Sequence, residues 1–212
     1  MSTRLTNKLS LASKLLCCLL SVLVTGCAST LANKSGSQFD SHSDSKSVAL
    51  ADNLHFILTS PPAEKMATVD SHLVEISSNG KKHQFIAQVE YRGGEIAMAA
   101  ISPQGLPLFD FIWFSDKNNE INQYVPLPNV DIGFIIADIQ LCNWPLQTIK
   151  SSLKGTDVSV TQQPVANEKA VTWQRKIMQN NNLIIKVDKF ADGYQLENIT
   201  RGYRIRLTQL ER

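Results

Sequence analysis

Short runs of alternating apolar and polar residues, each closed by Gly, Asn, Asp or Pro, occupy most of the chain from His72 to Leu210. A two-residue period puts one kind of side chain on each face of an extended strand, so this pattern restricts the fold to antiparallel β-structure with a buried face. His72 to Ser77 and His83 to Tyr91 flank Asn79-Gly80, a pair suited to a tight hairpin, and Phe85, Ala87, Val89 and Tyr91 share one face of the second run. Arg92-Gly93-Gly94 turns the chain into Glu95 to Ser102, and Pro103-Gln104-Gly105 turns it into Leu106 to Ser115.

Leu106 to Ser115 (LPLFDFIWFS) breaks the simple alternation. Phe109, Phe111 and Trp113 point one way, Leu108, Ile112 and Phe114 the other, and Asp110 is the only charge. A strand apolar on both faces is covered on both sides. Packed protein is the plain explanation; a held ligand is the other, which makes this aromatic face the first place to look for one.

Beyond Glu120 to Pro126 the period changes. Val130, Phe134, Ala137 and Leu141 recur at helical steps, with Ile135 and Ile139 beside them and Asp138 and Gln140 expected on the wet side. Asn143-Trp144-Pro145 interrupts, Leu146 to Leu153 resumes helical spacing with Pro145 in its first turn, and Gly155 ends it. Strands return at Asp157 to Gln163, Ala170 to Met178, Leu183 to Phe190, Tyr194 to Ile199 and Tyr203 to Leu210. Strands, a helical insert and more strands predict an α+β domain: one curved antiparallel sheet, its concave face covered by helices.

The N-terminus reads as an address. Arg4, Lys8 and Lys14 precede the apolar run Leu15 to Val24, too short to span a bilayer as a helix, and Leu23-Val24-Thr25-Gly26-Cys27 resembles the lipobox of bacterial lipoprotein precursors. That resemblance implies a signal peptide over residues 1–26, cleavage before Cys27, and acylation of its thiol, most simply with palmitate-type chains. Two or three acyl chains anchor durably where one does not. Ala28, in place of the Asp that favours inner-membrane retention in proteobacterial sorting, implies the outer membrane facing the periplasm. Residues 27–47 are Ser-rich with a single aromatic, the composition of a flexible tether whose reach is roughly 25 Å. Residues 48–212 are left for one domain.

Of 21 basic residues, three lie in the signal, which holds none of the 19 acids, so the remainder is close to neutral and gives no argument for nucleic acid. Arg201, Arg204 and Arg206 alternate with Tyr203, Ile205 and Leu207 as on the wet face of a strand. Beyond Cys27 only Cys142 remains, so no intrachain disulfide is expected, and its neighbours Ile139, Leu141 and Trp144 predict a buried, inert thiol. His42, His55, His72 and His83 have no partners at metal-ligand spacing, and neither a nucleophile motif nor a phosphate-binding glycine loop is present. No metal, no cofactor and no catalytic residue is expected. Asp110 and Asp138 are acids in apolar runs, most simply hydrogen-bonded structural groups.

The stretch from Val125 through Pro145, with Ala137-Asp138-Ile139-Gln140-Leu141 and Trp144-Pro145, resembles the bacterial lipoprotein family DUF3261, and the likeness runs from QFIAQVEY to NITRGYRIRL. That family in turn is similar to the LolA/LolB lipoprotein carriers, which implies an incomplete β-barrel with a helical lid over an apolar cavity. The implied function is binding or carriage of a hydrophobic cargo: a lipid, a lipoprotein acyl chain or a pigment-like hydrophobe. Phe85, Phe109, Phe111, Trp113, Phe134 and Trp144 are the candidate cargo contacts. The alternatives are a structural or assembly lipoprotein docking an envelope protein, and an envelope hydrolase whose site the sequence hides.

Overall fold

The computed structural model describes residues 46–126, 131–165 and 171–210. Cys27, His42 and the expected signal and tether lie outside the described residues, as do 127–130 at the expected start of the first helix.

Among the described residues thirteen strands and two α-helices follow in chain order: β1 (Ser47–Ala51), β2 (Leu54–Ile57), β3 (Val69–Ser78), β4 (Lys81–Arg92), β5 (Glu95–Ile101), β6 (Pro107–Phe114), β7 (Glu120–Gln123), α1 (Ile132–Asn143), α2 (Leu146–Ser152), β8 (Leu153–Gly155), β9 (Val158–Pro164), β10 (Val171–Gln179), β11 (Asn182–Phe190), β12 (Gly193–Asn198) and β13 (Tyr203–Gln209). Ten strands form one antiparallel sheet in the order β7-β6-β5-β4-β3-β13-β12-β11-β10-β9. Its edges are β7 and β9, which do not pair, so the sheet is not closed into a barrel.

The hairpins follow the turn chemistry in the sequence. Ser78 pairs with Lys81 across Asn79-Gly80 (φ 49° and 73°), and Gln179 pairs with Asn182 across Asn180-Asn181 (φ 50° and 64°). Two consecutive positive φ values twist the turn with the strands, and Asn and Gly tolerate them. The central meeting of the two halves is the pairing of β13 with β3, Ile205 opposite Ile76 and Leu207 opposite Val74.

Three expectations need correction. The domain has a second sheet, β1-β2-β8, which the single-sheet reading lacked. Val48 and Leu50 alternate with small or polar neighbours, Leu54 and Phe56 flank His55, and all four are buried, so the signal was there in short form. Gly155 does not end a helix; α2 stops at Ser152 because Leu153 leaves to pair with Phe56. The wet side of α1 is also not where Gln140 lies. Its buried residues include Ile132, Ile136, Gln140 and Leu141, and Gln140 is wholly enclosed. Asp131 starts this helix, its carboxylate accepting from the Gly133 amide at 2.8 Å.

Both helices pack on the sheet face that carries Val74, Val89, Met98, Phe111, Ile177, Val187 and Leu196, with α1 against β1, β11 and β12 and α2 against β8 and β9. The core is continuous between the two sheets and the helices.

Candidate functional site

Alternation in β6 puts Phe109, Phe111 and Trp113 on the covered face, where all three are buried. Phe109 lies edge-on to Phe85 at 6.2 Å between ring centres and stacks on Phe111 at 6.4 Å. Phe85 itself is half-buried. Trp113 pairs with Ile96, which pairs with Tyr91, and the Tyr91 ring meets Trp144 at 5.8 Å. The structure therefore brings together two aromatic groups: Phe85, Phe109 and Phe111 in one, Tyr91 and Trp144 in the other. Phe134 stands apart on α1, half-buried under the Arg201 guanidinium at 3.4 Å.

The cover over this face is held by polar bonds that the sequence did not announce. The Gln140 side chain pairs with the Thr59 backbone as a strand would: the Thr59 amide donates to Oε1 at 3.0 Å and Nε2 donates to the Thr59 carbonyl at 2.8 Å. The Trp144 indole N–H donates to the Thr59 hydroxyl at 3.0 Å. Arg175 projects from β10 on the same face as Trp173 and Ile177, and is only 2% exposed. It donates to the carbonyls of Leu141 at 2.5 Å and Trp144 at 2.9 Å, and twice to Gln162 Oε1 at 3.0 and 2.7 Å. These are carbonyls that the end of a helix leaves without internal donors, and a cation there also meets the negative end of the helix dipole. At the opposite flank the Tyr203 hydroxyl donates to Asp138, 2.9 Å from each carboxylate oxygen.

Over the middle of the sheet and along one side of α1, burial is incomplete. Ile76 on β3, Phe85 on β4 and Ile205 and Leu207 on β13 are only partly buried, and so are Phe134, Ile135 and Ile139 on α1. Register makes the sheet residues neighbours, since Val74 lies opposite both Phe85 and Leu207. The result is a seam of half-buried apolar side chains at the border of the core.

A polar cluster adjoins that seam. Lys65 reaches Asp70 at 2.9 Å and lies 5.4 Å over the Tyr91 ring. His72 follows Asp70 on the same face of β3 and is 9% exposed; burial lowers its pKa, Asp70 opposes, and the charges of Lys65 and Lys189 lower it further. Lys189 sits 4.0 Å over the ring of Tyr194, its cross-strand partner, and burial pushes the Tyr194 phenol up to about 12. Tyr194 also packs edge-on against Trp173 at 6.0 Å.

Cys142 is buried, and burial pushes its thiol well above the ordinary range, away from the reactive thiolate. Among the described residues no group of three or more His, Cys, Asp or Glu could hold a metal ion. Asp110 is exposed and accepts from Asn122 at 2.9 Å and from the Tyr124 hydroxyl. A groove of about 350 Å³ on the outer face is lined by Glu75, Ser77, Lys82, Gln84, Arg204 and Arg206. Both arginines already have acids, Glu197 at 2.8 Å and Asp192 at 2.7 Å. Among the described residues no helix is long and apolar enough to cross a membrane.

Residues 70–211 match the family model described as protein of unknown function, DUF3261. No curated protein matches the chain. A DUF1329 family protein from Desulfovibrio piger, known from a crystal structure, is similar over 68% of this chain and 83% of its own at 9% identity, with a TM-score of 0.34. That likeness is too slight to assign anything further.

Proposed function

The chain belongs to the DUF3261 family, and on that footing we propose that it is an outer-membrane lipoprotein, anchored through Cys27 and facing the periplasm, that binds or carries a hydrophobic cargo. The cargo is a lipid, a lipoprotein acyl chain or a related hydrophobe. The observation that carries the reading is the seam of half-buried apolar residues, with Ile76, Phe85, Ile205 and Leu207 on the sheet and Phe134 on α1. Apolar side chains held at the border between core and solvent offer area that a chain-like hydrophobe can cover.

The mechanism is physical and makes or breaks no bond; the protein acts as a holder and not as an enzyme. Phe85 and Phe134 meet the cargo first. Phe109 behind Phe85 is reached by small side-chain movements, whereas Phe111, Trp113 and Trp144 contribute only when α1 lifts, as the lid of a LolA/LolB-like half-barrel does in this proposal. Covering roughly 200 Å² of apolar area supplies about 5 kcal/mol gross, before the ordering costs of binding, which suits reversible loading.

The described residues carry their own core within one compact unit, so a form beginning at Gln38 serves for the test. Saturable binding of a fluorescent fatty-acid probe, weakened by Phe85→Ser, is the expected result; no binding overturns the reading. The anchor is tested in full-length protein expressed in a Gram-negative host. Labelled palmitate is expected on the chain and lost in Cys27→Ser.

A second reading, an assembly lipoprotein that docks another envelope protein, is favoured by the space beneath the helices, which Trp144, Tyr91, Phe111, Ile136 and Leu141 fill with their own side chains. It predicts a protein cross-linked at the domain surface in cells and no bound lipid.

A further inference from the structure

We propose that the cluster of Lys65, Asp70, His72, Lys189 and Tyr194 is a headgroup site that takes the anionic head, a carboxylate or phosphate, of an amphiphile whose chain lies along the seam. This rests on the hydrophobic-cargo reading and adds to it the charge and orientation of the cargo.

Position is the first argument. Phe85, Val74, Leu207, Tyr194 and Lys189 stand opposite one another in register across β4, β3, β13, β12 and β11. Four strand steps span about 19 Å, the scale of a long acyl chain. One end of this row is the apolar seam, and the other is an ammonium.

Charge is the second. Lys65 and Lys189 come from different parts of the chain yet act on the same imidazole and on each other. Of the acids near them, Asp70 is engaged by Lys65, and Asp192 has Arg206 at 2.7 Å. Among the described residues Lys189 makes no ion pair; its ammonium rests on the Tyr194 ring. An ammonium over a ring face still has hydrogens to give, and the Tyr194 hydroxyl is a further donor. His72, whose pKa burial lowers against the pull of Asp70 and with the help of the two lysines, offers a ring N–H donor beside them. The cluster thus carries surplus positive charge and several donors at the half-buried end of an apolar row. An anion there makes charge-assisted hydrogen bonds at a site partly shielded from water.

The test compares two fluorescent probes with the same chain, cis-parinaric acid and its methyl ester, on the form beginning at Gln38 in mildly alkaline buffer. The acid is expected to bind about tenfold more tightly than the ester. Lys65→Met together with Lys189→Met is expected to bring the acid to the level of the ester and leave the ester unchanged, while Lys189→Arg keeps most of the preference. Both lysines are partly exposed and neither belongs to the apolar core, so these substitutions spare it. Equal binding of acid and ester overturns the headgroup site and leaves the cargo reading standing. Binding of neither overturns both. Displacement of the acid by inorganic phosphate alone, with no chain attached, assigns the cluster to a free anion and overturns the amphiphile.

Discussion

The Tyr203 hydroxyl lies 2.9 Å from both carboxylate oxygens of Asp138 and fastens helix α1 to strand β13 across 65 residues of sequence. Asp138 as a whole residue is partly exposed, but its carboxylate end lies beneath the surface, and desolvation raises its pKa from 3.8 to about 7. The Tyr203 hydrogen bond and the charge of Arg201 pull the other way without prevailing. The folded state therefore binds a proton more readily than the unfolded state between these two values. Stability contributed by this group is fully present below pH 3.8 and is lost as the pH rises through about 7. Asp138→Asn is expected to flatten that part of the stability profile, measured by urea unfolding across the same window.

Arg175 closes the far end of α1. Replacing it with Met removes the donors to Leu141, Trp144 and Gln162 while keeping much of the volume, and leaves buried oxygens without partners. A loss of about 3 kcal/mol is expected in chemical denaturation. Arg175→Lys is expected to recover little, because one ammonium cannot reach the carbonyls and Gln162 with the same fork.

Gln140 and Trp144 hold the Thr59 backbone. Gln140→Leu leaves the Thr59 amide and carbonyl without their partners at an enclosed site and is expected to cost about 2 kcal/mol. Trp144→Phe, which loses one donor to the Thr59 hydroxyl, is expected to cost about 1 kcal/mol. Hydrogen exchange at the Thr59 amide separates them, rising sharply in the first and modestly in the second.

Gly193 and Gly202 both have positive φ, at 151° and 66°, but only one is crowded. A Cβ at Gly193 meets the Leu207 carbonyl oxygen at 1.9 Å, whereas one at Gly202 meets nothing within 4 Å. Gly193→Ala is expected to cost about 4 kcal/mol or more, since backbone must move, and Gly202→Ala about 1 kcal/mol. Thermal melts of the two variants make the comparison.

The strands of the large sheet were legible because their signals are local. Alternation set the faces of β4 and β6, and Asn79-Gly80 and Asn180-Asn181 marked turns whose positive φ follows from residue type. What was not legible depends on partners far away in sequence. Gln140 looked like a wet-side residue, and its burial is explained only by Thr59, 81 positions earlier. α1 is apolar around so much of its circumference that its few polar residues do not mark the solvent side. β8 has three residues and exists because β2 pairs with it. The open edges of the sheet follow from β7 and β9 failing to meet, which no pattern within either strand records. For the site, the aromatic residues were visible as a run in β6, but their division into buried and half-buried sets follows from where the helices lie. One further signal was available: Arg175 occupies an apolar position in an alternating strand, the mark of a charge recruited to a buried task. Lys65, His72 and Lys189 gave no such sign, for their proximity is made by the fold.

The most direct test of the central claim is where an acyl chain touches the protein. A fatty acid carrying a photoreactive group at its chain end, bound to the form beginning at Gln38 and irradiated, is read out by mass spectrometry of the labelled peptides. The account predicts labelling concentrated on Ile76, Phe85, Leu207 and the Phe134 side of α1. Labelling spread over the outer-face residues Glu75, Gln84 and Arg206, or none at all, contradicts it.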